Sequence, residues 1–107
     1  MEQGGCSSEN SEAYALRVVG DSMLPEFADG QIVIVDPAYP LSSGAFVVVD
    51  YGGEVILAQY VVEDARKRLV FLNIDYAPLV LQPPYQVKGV VTQRAGRRRS
   101  ERKHYSP

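Results

Sequence analysis

The stretch Gln31-Ile32-Val33-Ile34-Val35 is the strongest indication of fold class in this chain, because four of its five residues are β-branched. Apolar side chains occupy both its odd and its even positions, so we expect a strand that is buried on both faces. Asp29-Gly30 precedes it as a turn, and residues 36–44, with two prolines and two serines, follow it as a loop. Ala45-Phe46-Val47-Val48-Val49 repeats the pattern and predicts a second strand.

Further short runs between turn signals are typical of strands, at residues 15–19, 54–62, 68–72, 79–81 and 86–94. Tyr51-Gly52-Gly53 predicts a hairpin turn ahead of the second of these runs. No segment of useful length shows the 3.6-residue period of an amphipathic helix. The 107 residues therefore predict one mainly β domain of about seven short strands with little helix.

Composition and charge divide the chain into three parts. We expect residues 1–13 to be a flexible arm, residues 14–94 to be the folded domain, and residues 95–107 to be a basic disordered tail. The net charge of −2 conceals an asymmetry, since residues 1–93 carry five basic and twelve acidic residues. This acidic body argues against a large nucleic-acid surface on the domain. The tail is either a solvated end or a segment that contacts phosphates or an acidic partner.

Several functional classes are disfavoured by what the sequence contains. Cys6 and His104 are the only residues of their types, so we expect neither a metal site built from them nor a disulfide. We expect no cofactor either. No apolar stretch reaches the length of a membrane helix, and the polar N-terminus shows no signal-peptide pattern. These features predict a cytoplasmic protein without a membrane partner.

The segment Val19-Gly20-Asp21-Ser22-Met23-Leu24-Pro25 is the sharpest candidate for chemistry. Ser22 follows a Gly-Asp turn and precedes residues 24–27, which predict one helical turn. Such a position exposes a hydroxyl and leaves nearby N–H groups free to stabilise an oxyanion. Taken alone, a Gly-Asp-Ser turn is common and is weak support for a nucleophile.

Two further segments, Asn73-Ile74-Asp75-Tyr76-Ala77-Pro78 and Val87-Lys88-Gly89-Val90-Val91, follow this serine motif in the chain. With these three motifs in this order, the chain resembles the LexA/UmuD-like self-cleaving Ser/Lys peptidases. Their relatives include phage repressor C-terminal domains and, more distantly, type I signal peptidases. The resemblance covers roughly residues 15–94. It implies twisted antiparallel sheets of the LexA C-terminal or signal-peptidase-like β-ribbon type.

The resemblance implies a set of site residues, one of which has been replaced. Ser22 takes the nucleophile position, and the N–H groups of Asp21 and Ser22 are the implied oxyanion donors. The family's general-base lysine would follow Glu54-Val55-Ile56-Leu57, but that position holds Ala58. A lysine can take the serine proton only when it is neutral, and alanine offers no base. The replacement is either natural or deliberate, and both explanations stay open.

The other lysines, Lys67, Lys88 and Lys103, do not match the family position. Residues 1–14 lack the Ala-Gly or Cys-Gly bond that such repressors cleave, and we expect no helix-turn-helix ahead of the domain. Ala95-Gly96 is interpreted as a chance dipeptide.

We interpret the sequence as a serine peptidase domain for a peptide or protein substrate that is inactive as written, with autocleavage and the SOS response implied by resemblance. One alternative is a non-catalytic module that forms homodimers or binds partners through residues 86–94, and another is a nucleic-acid accessory protein that uses the basic tail. Met23 and Phe27 are expected to pack in the core, and Tyr76 and Pro78 to be structural turn residues.

Overall fold

The computed structural model describes residues 12–95 and 102–105, and these form an all-β fold with no helix among them. The strands are β1 (Tyr14–Arg17), β2 (Ile32–Asp36), β3 (Phe46–Tyr51), β4 (Glu54–Glu63), β5 (Arg66–Val70), β6 (Leu79–Val80), β7 (Tyr85–Arg94) and β8 (Lys103–His104). The mainly β class and the seven principal strands that the sequence predicted are confirmed.

The strands form one antiparallel sheet in the order β1-β2-β7-β3-β4-β5-β6, and β8 pairs with β7 beside this path. The long strand β7 connects the two halves of the sheet, because Tyr85 to Val90 pair with β3 and Val90 to Arg94 pair with β2. Gly89 lies at the change of partner, where an added Cβ would stand 2.6 Å from Val35 Cγ1. Only glycine permits this close crossing, which lets the sheet curl.

Two hydrophobic clusters lie on opposite faces of the curled sheet. The first core cluster comprises Ala45, Val47, Val49, Ala58, Tyr60, Leu69, Leu81 and Val90. The second comprises Val18, Met23, Phe27, Val33, Val35, Val48 and Val91. Because β3 and β7 each contribute buried valines to both clusters, these two strands are covered on both faces. The interior of the domain therefore centres on the adjacent strands β3 and β7.

The burial predicted for β2 is correct on one face only. Val33 and Val35 are fully buried, whereas Ile32 and Ile34 are half-buried. The β-branched run was interpreted from apolarity alone, and that pattern does not distinguish full burial from the partial cover that an outer strand receives. The strand β2 lies next to the terminal strand β1, so less of the molecule covers its second face.

The C-terminal segment differs from the expected disordered tail over residues 102–105. Lys103 and His104 form β8 against Arg94 and Gln93, and the Tyr105 N–H donates to the Thr92 carbonyl at 2.8 Å. The prediction of disorder rested on the charge of the tail. Residues 102–105 are ordered because the aromatic side chain of Tyr105 packs against the second core cluster. Residues 96–101, with Arg97 to Arg99, and residues 1–11 lie outside the described residues.

Residues 86–94, through which the sequence predicted homodimers or partner binding, form an open edge only in part. Val90 to Arg94 have β2 on one side, and at Gln93 and Arg94 β8 covers the other side. The side of Gln86, Val87 and Lys88 that faces away from β3 carries no strand among the described residues. Among the described residues, only the first part of this segment therefore offers an unpaired edge for self-association. Within the described chain, no helix is long and apolar enough to cross a membrane.

Candidate functional site

Ser22 lies in the loop between β1 and β2, whose base is closed by backbone hydrogen bonds. The Val18 N–H donates to the Gln31 carbonyl at 2.8 Å, and the Gly30 N–H donates to the Val18 carbonyl at 2.7 Å. The Gly20 N–H donates to Asp29 Oδ1 at 2.6 Å, with Gly20 at a φ of 90° that a side chain would disfavour. Gly20, two residues before Ser22, and Asp29, at the far end of the loop, therefore set the shape of this loop.

The residues that follow Ser22 anchor this loop in the interior. Met23 and Phe27 are fully buried in the second core cluster, as the sequence predicted. The Phe27 N–H donates to the Met23 carbonyl at 3.0 Å, and the Leu24 N–H donates to the Asp21 carbonyl at 3.3 Å. These bonds close turns over residues 21–27, and no helix forms there, in contrast to the helical turn predicted for residues 24–27. Ser22 itself stays half-exposed at the point where the chain enters the core.

A second loop holds the Asp21-Ser22 backbone from the opposite side. Asn73 donates from Nδ2 to the Asp21 carbonyl at 3.0 Å and from its backbone N–H to the Ser22 carbonyl at 3.0 Å. The Tyr76 phenol donates to Asp21 Oδ1 at 2.5 Å. This hydrogen bond, with the negative charge of Asp21, raises the pKa of Tyr76 above its ordinary value. The phenol therefore acts as a donor at neutral pH.

Asn73 and Tyr76 have larger structural roles than the sequence predicted. The sequence predicts Tyr76 as a turn residue, and the structure places it against the serine turn as well. Asn73 belongs to a predicted motif, but the sequence alone predicted no role for its side chain. The spacing of Asn73 and Tyr76 within Asn73-Ile74-Asp75-Tyr76 was the sequence signal from which their contact with the serine turn could have been predicted. Ile74, by contrast, points away from the protein and is 94% exposed.

Ser22 opens onto a cleft of about 260 Å³. Its lining consists of Val18, Val19, Ser22, Met23, Glu54, Val55, Ile56, Leu57, Phe71, Tyr76 and Leu79. Most of these side chains are apolar, and the ionisable ones are Glu54 and Tyr76. The lining therefore contains a hydroxyl on an apolar floor, and it contains no amine or imidazole among the residues that the structure describes.

Ala58 directly follows the part of β4 that forms the cleft wall. It is 0% exposed, pairs with Val47 and belongs to the first core cluster. Ile56, Phe71 and Leu79 line the cleft and also pack against that cluster, so the cleft and the surroundings of Ala58 share these three side chains. A longer side chain at position 58 would enter an apolar region bordered by these residues. The pairing of Ser22 with a base at this position stays a prediction.

The predicted oxyanion donors are also placed at the serine turn. Among the residues that the structure describes, the N–H groups of Asp21 and Ser22 have no acceptor, and the Ser22 hydroxyl has no hydrogen-bond partner. Free N–H groups beside a hydroxyl are what stabilisation of an oxyanion requires. Their assignment as donors remains a prediction.

A second, larger groove of about 660 Å³ adjoins the cleft through the shared side chain of Val55. It is lined by Tyr14, Ala15, Leu16, Pro37, Val48, Val55, Gln86, Val87 and Lys88. The Tyr14 phenol donates to the Lys88 carbonyl at 3.3 Å across this groove. The unpaired first part of β7 therefore lies beside an apolar surface that leads towards Ser22. As for metals, the described part of the chain brings no three His, Cys, Asp or Glu residues together as a metal site would require.

Comparison with known proteins identifies relatives of the domain. The sequence model described as Peptidase S24-like matches residues 2–92. An HTH-type transcriptional regulator for conjugative element R391 from Providencia rettgeri is 36% identical over 87 residues, which cover 75% of this chain and 40% of that protein. A LexA repressor from Geobacter sp. (strain M21) is 33% identical over 85 residues, covering 78% of this chain and 42% of the repressor. The chain thus spans less than half the length of these curated relatives.

Proposed function

The chain belongs to the peptidase S24-like family, and from that premise we propose that it is a serine-peptidase domain without its general base. In this proposal Ser22 and the surrounding cleft bind a peptide segment, and hydrolysis stays near the background rate as the chain is written. The resemblance to LexA/UmuD-like proteins found in the sequence is confirmed by the family match and by the LexA repressor among the relatives.

One observation carries this proposal, namely that a half-exposed serine opens onto an apolar cleft without an amine in its described lining. A serine hydroxyl is a weak nucleophile until a neighbouring base accepts its proton. The Tyr76 phenol donates to Asp21, and the raised pKa of Tyr76 keeps it protonated at neutral pH. Glu54 is a carboxylate at the exposed start of β4, and carboxylates are weak bases toward a hydroxyl. Activation of Ser22 is therefore left to water.

The parts that would bind a peptide carbonyl remain in place in this proposal. The free N–H groups of Asp21 and Ser22 supply two donors, and the bonds from Asn73 and Tyr76 hold the backbone that carries them. The groove beside Gln86 to Lys88 offers an unpaired strand edge to an extended segment. An added strand at such an edge gains main-chain hydrogen bonds without requiring one particular sequence. The proposed ligand is thus an extended peptide or protein segment.

The relatives suggest a regulatory setting for the domain. They are named as a transcriptional regulator and a repressor, so we propose that this domain belongs to a cytoplasmic regulator of that kind. Autocleavage and a link to the SOS response are proposed for a form of the domain that carries lysine at position 58, since the chain as written lacks the base. Homodimerisation is proposed at the unpaired part of β7, and sedimentation velocity at rising micromolar concentration tests it. A single monomeric species throughout would contradict the dimer while leaving the serine site untouched.

Binding through the basic tail receives less support from the contacts of the described residues. Lys103 of the tail and Arg94, which ends β7 just before the tail, both bond Glu26, so two basic side chains of the C-terminal region are already engaged within the domain. An acidic partner or a nucleic acid would have to use the remaining arginines or displace Glu26. We therefore favour the peptide-binding proposal over the nucleic-acid one.

The test compares four chains: the unaltered protein, Ser22→Ala, Ala58→Lys and the double variant. Each is incubated with a library of synthetic peptides, and mass spectrometry reports cleavage of the peptides and of the chain itself. We expect the unaltered chain and Ser22→Ala to give the same background. Ala58→Lys should cleave faster by up to about 10²- to 10⁴-fold, the usual value of general-base assistance, and the double variant should not. Cleavage by the unaltered chain that disappears in Ser22→Ala would refute the missing-base proposal.

A further inference from the structure

Four polar contacts from the C-terminal part of the chain converge on one residue of the serine loop, Glu26. Arg94 at the end of β7 donates from Nη1 to the Glu26 carbonyl at 2.6 Å and to Glu26 Oε2 at 3.3 Å. Lys103 Nζ donates to the same Oε2 at 2.8 Å, and the Tyr105 phenol donates to it at 2.6 Å. Both the backbone and the carboxylate of Glu26 are therefore held by residues more than 65 positions away in sequence.

Residues 102–105, which we call the C-terminal strap, also pack against the residue next to Glu26. The Tyr105 ring lies 5.6 Å from the Phe27 ring and 5.5 Å from the Phe46 ring, measured between centroids. Phe27 and Phe46 themselves meet edge to face at 5.1 Å. These three rings connect the strap, the serine loop and β3. Aromatic clusters of this kind contribute through both burial and ring geometry.

The charges at this contact support the same geometry. The hydrogen bonds from Lys103 and Tyr105 and the positive charges of Lys103 and Arg94 lower the pKa of Glu26. Burial, together with the bond to Glu26, raises the pKa of Tyr105. Arg94, Lys103 and Tyr105 are the titratable groups that face this carboxylate among the described residues. At neutral pH the contact thus joins an ionised carboxylate to two cations and a protonated phenol.

We propose that the C-terminal strap regulates the Ser22 site by fixing the Glu26-Phe27 end of the serine turn. The turn is held at its other end by Asn73 and Tyr76, so Ser22 lies between two tertiary anchors. Release of the strap removes one anchor and allows residues 22–27 to move relative to the cleft. An acidic partner that takes Lys103 away from Glu26 would have this effect. The regulatory role rests on the proposed function of Ser22, whereas the mechanical coupling does not.

The experiment measures amide hydrogen exchange by NMR in the full chain and in three variants. Tyr105→Ala removes ring and hydroxyl, Tyr105→Phe removes the hydroxyl alone, and His104→Ala is the matched control at an exposed neighbour in β8. The reporters are the Phe27 amide, which bonds Met23, and amides of the β4–β5 pairing as a distant reference. Tyr105→Ala should speed exchange at Phe27 by at least about tenfold, and Tyr105→Phe by about threefold. His104→Ala should change neither set.

Two outcomes would overturn the coupling. An unchanged Phe27 rate in Tyr105→Ala would show that the strap does not hold the turn. Equal acceleration at Phe27 and in the β4–β5 pairing would show a general loss of stability without control of the site. Peptide cleavage measured with Tyr105→Ala placed in the Ala58→Lys chain then tests the regulatory step, and an unchanged cleavage rate would overturn it. If Ala58→Lys alone is inactive, the proposed function fails and the exchange data still decide whether the strap is coupled to the turn.

Discussion

Ala58→Lys introduces an amine at a fully buried position, and the structure predicts how this changes stability with pH. Ala58 is 0% exposed and lies among apolar residues of the first core cluster. Burial in such surroundings lowers a lysine pKa by about 3 to 5, because the charged form loses its hydration. Since the introduced amine is neutral in the folded chain and charged in the unfolded chain, protons favour unfolding. The cost therefore exists below the ordinary lysine pKa and disappears as the pH rises towards it.

The size of this effect follows from the linkage between protonation and unfolding. For a pKa lowered by about 3, the free energy of unfolding falls by about 4 kcal/mol at pH 7 and by about 2 kcal/mol at pH 9. Typical domains are stable by about 5 to 15 kcal/mol, so the variant is expected to fold and to tolerate less denaturant. Ala58→Met is the matched control, because it adds similar bulk to the same site without an amine.

The assay is equilibrium unfolding in urea at pH 7 and at pH 9 for both variants. We expect the free energy of unfolding of Ala58→Lys to gain about 2 kcal/mol on Ala58→Met between these pH values. Parallel pH dependence of the two variants would mean that the amine reaches water and keeps its ordinary pKa. A solvated, protonated lysine could not take the Ser22 proton, so this result would refute the proposed base position. If Ala58→Lys is unfolded at pH 7, the comparison at pH 9 and above still measures the slope.

Four other substitutions test further contacts. Asn73→Ala removes the donor to the Asp21 carbonyl and should lower the free energy of unfolding by about 1 kcal/mol in urea titrations, whereas the exposed neighbour Ile74→Ala should leave it unchanged. Gly89→Ala puts a Cβ 2.6 Å from Val35 Cγ1 and should cost about 2 to 4 kcal/mol; thermal unfolding at an unaltered midpoint would contradict the close crossing. Ala65→Gly relieves a φ of 66° in the β4–β5 turn and should stabilise the chain by about 0.5 to 1 kcal/mol, with a decrease counting against strain there. Glu26→Gln should be less stable than the unaltered chain at neutral pH, and this difference should vanish as the pH falls through the lowered pKa of Glu26, because protonation then removes the same charge from the unaltered chain. Glu54→Gln, at an exposed carboxylate, is the control, and a Glu26→Gln difference that persists in acid would argue against the ionic contact.

Local sequence signals were sufficient to predict β1 to β7 and their order along the chain, but not β8. Runs such as residues 45–49 and 86–94 are β-branched and end at glycine, proline or charged residues, and β3 and β7 lie within two residues of those limits. The serine turn could also be located, because Gly20 at positive φ and the buried Met23 leave Ser22 at the surface. These features depend on neighbouring residues in the chain, whose preferences act over short distances. The sequence also showed directly that position 58 holds alanine.

Contacts between distant segments were decided by the tertiary structure alone. The closing strand was predicted as a contact for homodimers or partners, yet β2 and β8 cover its second half, because pairing depends on which strands the curl at Gly89 brings together. The tail was predicted to be disordered because of its basic charge. Residues 102–105 nevertheless lie against the sheet, because Tyr105 packs in the second core cluster and bonds Glu26. Asn73 and Tyr76 reach Asp21 across more than 50 residues. No local pattern records which polar groups will meet at such separations, since each meeting requires the whole sheet to have formed.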